Sequence, residues 1–320
     1  MILLLNSWGG EHVIYTVTLN PAVDYVVSLD ALAPGKINRA ASEHVVFGGK
    51  GVNVSLMLHA LNTPSVALGF TAGFTGEAIR AGVEAQGVRT DFVALESGFS
   101  RINVKLHAGE ETEINGCGPE IPADKLELFL DKLRVLTPAD TLVLSGSVPP
   151  SLPGDVYARI ASIAAEKGAR LVVDATGKLL LSTLPHRPFL IKPNREELSA
   201  LFGAPADTDD DVQALAHRLQ EAGAHHVLVS MAGDGALLCT ASGESYRVAA
   251  AKGTVVNSVG AGDSMVGGFL AAFQKTGSLP EALALGAAAG GATAFSVGIA
   301  GFQKVMALYE RLRTEVTRIG

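Results

Sequence analysis

Cysteine is scarce: the 320 residues carry two, Cys117 and Cys239, far apart in the chain. That excludes a disulfide framework and cysteine-based metal spacing, and it fits a reducing compartment. Aromatic residues make up 6% and charged residues 18% of the chain, so the core must be built from Ala, Val, Leu and Ile. No cluster of lysines and arginines stands out and the net charge is −7, which leaves a nucleic-acid or anionic-membrane partner unsupported. The mean hydropathy is high, +0.31, yet no apolar run approaches the roughly 20 residues that span a bilayer. The apolar opening Met1–Leu5 lacks the basic flank and the long apolar stretch of a signal peptide. The chain therefore reads as a soluble, cytoplasmic protein. Its first strand-like run begins at Val13, so residues 1–12 read as a leader ahead of a natural start at Val13.

Glycine is plentiful, at 36 residues, which suggests many tight turns and close backbone approaches. Short β-branched runs alternate with alanine-rich stretches of helical period, the pattern of a parallel sheet with crossover helices. Core strands are expected at Ile14–Leu19, Ser65–Phe70, Thr141–Ser145, Arg170–Asp174, Phe189–Lys192 and Val227–Ser230. Helices are expected near 51–62, 75–86, 123–135, 154–167, 195–202 and 208–222. Past residue 255 the chain turns mostly helical, and small residues over 261–275 and 280–296 imply close helix packing. The fold class is α/β with a mostly parallel central sheet, one domain over 13–320. Ligands of such sheets bind at the C-terminal ends of the strands.

Two segments, about 24–47 and 100–116, break this rhythm as alternating strands with no helix between them. In the second, Arg101, Asn103 and Lys105 share one face because side chains alternate along a strand. A small sheet with a polar face, inserted into an α/β core, reads as a lid. A surface hairpin showing its solvent face is the other reading.

Five stretches carry candidate chemistry. In Asn257–Met265, Gly260, Ala261 and Gly262 open a long apolar helix, with Ser258 and Val259 just before them. The first N–H groups of a helix lack internal partners and suit a phosphate. Asp263, on the same turn, can accept a proton from an attacking hydroxyl, or it can simply cap the helix. In Phe47–Val54, Gly48, Gly49 and Gly51 allow close backbone approach, and Lys50 and Asn53 lie on one helical face. The spacing is not that of a Walker loop. In Lys192–Glu197, Asn194 and Glu197 offer oxygens to Mg²⁺ or its waters, or they form a capping box. The turn at Ser230–Gly235 either wraps nucleotide phosphates or is an ordinary hairpin turn. Asp24, in Asn20–Asp24, either binds hydroxyls or caps a turn.

In this order the strings TLNPAVDY (18–25), GGKGVNVS (48–55), SRINVKL (100–106), LSGSVP (144–149), KPNREEL (192–198) and VNSVGAGDSMVGGF (256–269) resemble the ribokinase-like, pfkB-type sugar kinases. The likeness runs over essentially all of 13–310, and it falls in the phosphosugar branch. Within that branch the RINVKL strand, the ETEING hairpin (111–116) and GAGDSMVGG are similar to enzymes that phosphorylate fructose 1-phosphate at C6. Enzymes acting on tagatose 6-phosphate are the near relatives. The resemblance implies a three-layer αβα sandwich with a small β-sheet lid, ATP and Mg²⁺ as cofactors, and a homodimer joined through the lid.

It also implies roles by position. Asp263 would be the catalytic base, with the N–H groups of Gly260, Ala261 and Gly262 as the anion hole. Asp24, Gly48, Gly49 and Asn53 would bind sugar hydroxyls. Arg101 would hold the existing phosphate, with Lys50 assisting, Asn103 and Lys105 on the same face, and Ser145 lining the cleft. Lys192, Asn194, Ser230, Ala232, Gly233, Gly235, Ser258 and Val259 would lie on the ATP side. Glu197, with Asn194, would organise Mg²⁺ through water. Relatives often carry Gly where this chain has Ala232. A non-catalytic sugar-phosphate sensor would need an impaired GAGD turn, and here it is intact. A dinucleotide-binding oxidoreductase would need G-x-G-x-x-G after the first strand, where NPAVD stands.

Overall fold

The structure, a computed structural model, describes residues 12–320; the leader expected over 1–12 lies outside the described residues, except for His12. The chain opens with β1 (Ile14–Thr18), β2 (Ala22–Ser28), β3 (Ser42–Gly48) and α1 (Lys50–Ala60), followed by β4 (Ser65–Ala72) and α2 (Gly73–Ala85). Next come β5 (Arg89–Thr90), β6 (Val93–Leu95), β7 (Arg101–Ala108), β8 (Glu110–Asn115) and α3 (Ala123–Leu133). The middle is β9 (Thr141–Ser145), α4 (Val156–Glu166), β10 (Arg170–Asp174), α5 (Gly177–Thr183), β11 (Leu190–Ile191) and α6 (Arg195–Phe202). Then follow α7 (Asp209–Glu221), β12 (His226–Ser230), β13 (Ala236–Cys239) and β14 (Ser245–Val248). Three helices, α8 (Ala261–Thr276), α9 (Leu279–Ala294) and α10 (Phe302–Leu312), precede β15 (Thr317–Arg318).

The large sheet runs β15-β14-β13-β12-β11-β10-β9-β1-β4-β5, with β6 also on β4. From β12 to β5 the pairs are parallel, and β13, β14 and β15 add an antiparallel edge. Every residue of β1 and of β9 is buried, as strands with helices on both faces require. On one face Tyr15 and Val17 of β1 belong to a buried cluster that extends through Phe129 of α3 and Ile160 of α4 to Leu215 of α7. On the other face Ile14 belongs to a second buried cluster with Met57 of α1, Phe269 of α8 and Leu283 of α9. That is the expected three-layer α/β arrangement. Fully burying one such large side chain contributes roughly 1.5–3 kcal/mol. The small residues of α8 and α9 do what their composition implies: a Cβ on Gly268 would stand 2.6 Å from the Leu285 carbonyl oxygen.

The chain runs from β1 to β4 on one side and returns to β9 on the other, so β1 is the point where the connections change direction. In open α/β sheets the crevice beyond the strand ends at that point is the usual ligand site. The second sheet, β3-β2-β7-β8, stands over this end. Its register puts Asp24 opposite both Val46 and Asn103, and Asn103 opposite Asn115, in one row. The next row, Val45, Tyr25, Val104 and Ile114, therefore faces the other way.

Candidate active site

A cleft of about 900 Å³ opens where the two sheets meet. Its floor is the N-terminus of α8. Gly260, the residue before that helix, has φ of 79°, a left-handed conformation that glycine adopts without strain. Ala261 donates its N–H to the Ser258 carbonyl at 3.2 Å. Among the described residues the N–H groups of Gly260, Gly262 and Asp263 have no acceptor. They are donors that the helix leaves open to a ligand. A turn bond thus already engages the Ala261 N–H, unlike those of its two glycine neighbours.

Asp263 is buried here, 6% exposed. Its Oδ2 accepts a 2.8 Å hydrogen bond from Asn53 Nδ2 on α1. Burial, then the nearby Asp174 charge, pushes the carboxyl up to about 6, against the opposing effects of Asn53, Lys50 and Lys192. A plain helix cap bonds its own helix, whereas the buried Asp263 carboxylate is held by Asn53 of another helix. Its position suits proton abstraction.

The second sheet supplies one wall. Asp24 Oδ1 accepts from Asn103 Nδ2 at 2.8 Å, and Asn103 Oδ1 accepts from the Gly116 N–H at 3.2 Å. Arg101 donates Nε to the Asn20 carbonyl at 3.0 Å. That pins its stem, and among the described residues the two terminal nitrogens of the fork have no acceptor and can take an anion. Lys105 reaches the cleft but already pairs with Glu113 at 3.1 Å across β7 and β8.

Opposite lie the ends of β10, β11 and β12. Lys192 Nζ is 3.3 Å from where a Cβ on Gly262 would stand, so its charge sits over the helix entrance. Asn194 and Glu197 form a complete capping box at the start of α6: Asn194 Oδ1 accepts from the Glu197 N–H at 2.7 Å, and Glu197 Oε2 accepts from the Asn194 N–H at 2.9 Å. Both also line the cleft. The turn after β12 is a hairpin turn into antiparallel β13, and it lines the cleft as well. Ala232 has φ of 46°, a left-handed conformation uncommon for a residue with a Cβ. Arg195 fastens this turn through Asp234 at 2.8 Å. Beyond it the cleft becomes apolar, between Ala251, Ala287, Gly291 and Phe295.

The cleft gathers 20 of the 22 expected residues. Gly48 and Ser145 are the two that do not line it. A Cβ on Gly48 would contact the side chains of Asn53 and Asp24, so this glycine stands behind those groups. Ser145 ends β9 inside the sheet layer, 1% exposed, and its hydroxyl has no partner among the described residues. Sequence reasoning missed Glu113, Asn115 and, most consequentially, Asp174. Asp174 ends β10, with Oδ1 at 3.4 Å from Lys50 Nζ and 3.3 Å from Lys192 Nζ. Burial favours its neutral form, but Lys192 and Lys50 together hold the carboxyl below its ordinary value. The available signal was a single acid closing an otherwise apolar strand.

The profile of the pfkB family carbohydrate kinase matches residues 17–303. The 1-phosphofructokinase of Bacillus subtilis is 47% identical over 283 residues, 88% of this chain and 93% of its own. The D-tagatose-1-phosphate kinase of Bacillus licheniformis is 40% identical over 293 residues, 91% of this chain and 96% of its own. Among solved structures, phosphofructokinase-2 from Escherichia coli in complex with substrates and products matches with a TM-score of 0.88 at 28% identity. That match covers 93% of this chain and 99% of the other.

Proposed function

The chain belongs to the pfkB family of carbohydrate kinases, and from that premise we propose that it transfers the γ-phosphoryl group of ATP to the C6 hydroxyl of fructose 1-phosphate. The product is fructose 1,6-bisphosphate. The observation that carries the reading is the α8 entrance, where open N–H donors and the buried Asp263 share one cleft with the Asp24, Asn103 and Arg101 wall. The B. subtilis relative, at 47% identity, supports the choice of sugar.

Asp24 and Asn53 bind the sugar hydroxyls and Arg101 takes the 1-phosphate, leaving the C6 hydroxyl toward Asp263. As that oxygen attacks, the Asp263 carboxylate accepts its proton. Gly260 and Gly262 N–H groups and Lys192 stabilise charge on the moving phosphoryl, since phosphoryl transfer depends on positioning and electrostatics. The adenine lies at the apolar end near Phe295. Mg²⁺ fits the donors present. Among the described residues no three acidic, His or Cys side chains cluster to hold a metal directly, and Mg²⁺ typically keeps its waters and binds through one or two carboxylates plus phosphates. Glu197 and Asn194 would hold it through water, where it would neutralise phosphate charge.

The single domain over 13–320 carries the small sheet as a lid that excludes water from the transfer. Its outward row supports a homodimer through the lid: Val45 is 50% and Ile114 58% exposed, an apolar row on a sheet with polar residues on its other face. The reaction takes place in the cytoplasm. Among the described residues no helix is long and apolar enough to cross a membrane.

A specific competitor remains. The tagatose relative is a 1-phosphate kinase by name, whereas the near relatives expected from the sequence beside the fructose 1-phosphate enzymes act on tagatose 6-phosphate. Tagatose 1-phosphate differs from fructose 1-phosphate only at C4 and offers the same C6 hydroxyl. An ADP-release assay across fructose 1-phosphate, fructose 6-phosphate, tagatose 1-phosphate and tagatose 6-phosphate decides. Fructose 1-phosphate should give the highest kcat/KM; a higher value for any other sugar replaces the assignment.

A further inference from the structure

We propose that Asp174 is a positioning residue, a brace that holds Lys50 and Lys192 on opposite sides of the phosphoryl path. The inference rests on the kinase reading above and adds to it a residue that does not touch substrate.

Three observations point to the brace. Asp174 is 1% exposed at the end of β10, and its Oδ1 lies between two ammonium groups, 3.4 Å from Lys50 and 3.3 Å from Lys192. The lysines come from different parts of the chain: Lys50 opens α1 beside the sugar wall, and Lys192 follows β11 beside the nucleotide turn. Two cations brought to one seam repel each other, and the shared carboxylate is what lets both stand there. Among the described residues Oδ2 has no hydrogen-bond partner, so the ion pairs are what compensate this buried charge. A buried acid so placed is costly for stability alone. Its benefit lies in what it orients.

The brace also reaches Asp263. The charged and polar groups acting on that carboxyl are Asp174 from β10, Lys50 and Asn53 from α1, and Lys192 after β11. Asp174 itself is faced by the two lysines and by Tyr157 of α4. Asp174→Asn keeps the size and removes the charge. It should lower kcat by roughly 10- to 1,000-fold, the scale on which small misplacements act, with each KM changed far less. The acid limb of kcat/KM against pH should move to lower pH, because an anion that disfavours ionised Asp263 is gone.

A kcat within twofold of wild type overturns the brace. So does a loss of kcat with the acid limb unmoved, the result expected of a merely structural residue. Should Asp174→Asn fail to fold, Lys50→Gln, Lys192→Gln and their double variant answer the same question. Lysines held by one carboxylate act as a unit, so the double loss should fall well short of the product of the single losses; multiplicative losses reject the idea. Asp263→Asn measured in parallel keeps the two readings apart. If it retains kcat, the base assignment has failed. If it is inactive while Asp174→Asn is unaffected, only the brace has.

Discussion

Removing the Arg101 guanidinium should separate sugar binding from nucleotide binding. Its Nε is committed to the Asn20 carbonyl at 3.0 Å, so the terminal nitrogens are the ones that meet the substrate phosphate. Hydrogen bonds to charged groups contribute about 1.5–3 kcal/mol each, but the Arg101 site is only half-buried and water partly replaces what is lost. A net loss of about 2–3 kcal/mol for Arg101→Ala is therefore reasonable, equivalent to a rise of roughly 30- to 150-fold in KM at about 1.4 kcal/mol per tenfold. The assay is ADP release with each substrate varied at saturation of the other. KM for fructose 1-phosphate should rise by that factor while KM for ATP stays within about twofold. Activity on unphosphorylated fructose should hardly change. Equal increases in both KM values would remove Arg101 from the phosphate site.

Other outcomes follow from the same geometry. Because the Asp263 carboxyl is pushed up to about 6 and must be ionised to accept a proton, wild-type kcat/KM should be level above that pH. It should fall as pH drops through it; an acid limb near 4 would show an unperturbed carboxylate. Ala232→Gly should relieve the left-handed backbone at φ 46°. The strain is roughly 1–2 kcal/mol, partly offset by the greater freedom of glycine in the unfolded chain, so stability to denaturant should rise by about 1 kcal/mol; a decrease would show that the turn is unstrained. Ile114→Asp places a charge in the outward lid row and should turn a dimer into a monomer by light scattering. A wild-type protein that is already monomeric would refute the interface.

The strands were legible because burial on both faces writes itself as unbroken apolar runs, as in Thr141–Ser145. The small sheet was legible because one polar face leaves strict alternation over Arg101–Leu106. The short edge strands β5, β6 and β15 carry two or three residues each, too few for any periodicity to register. Individual motifs were ambiguous for a physical reason: the residue types that cap helices are the same ones that bind phosphates. Asn194 and Glu197 do cap α6 while lining the cleft. Asp174 stayed hidden because its meaning lies in register. Only the pairing of β9, β10 and β11 brings it between a lysine 124 positions upstream and another beyond the next strand.

Phosphoryl transfer here depends on Asp263 acting as base at the helix entrance, and Asp263→Asn tests that role most directly. Steady-state kinetics on the folded variant should show kcat lower by roughly 10²- to 10⁴-fold, with the KM values for ATP and fructose 1-phosphate little changed. A kcat close to that of wild type would contradict it.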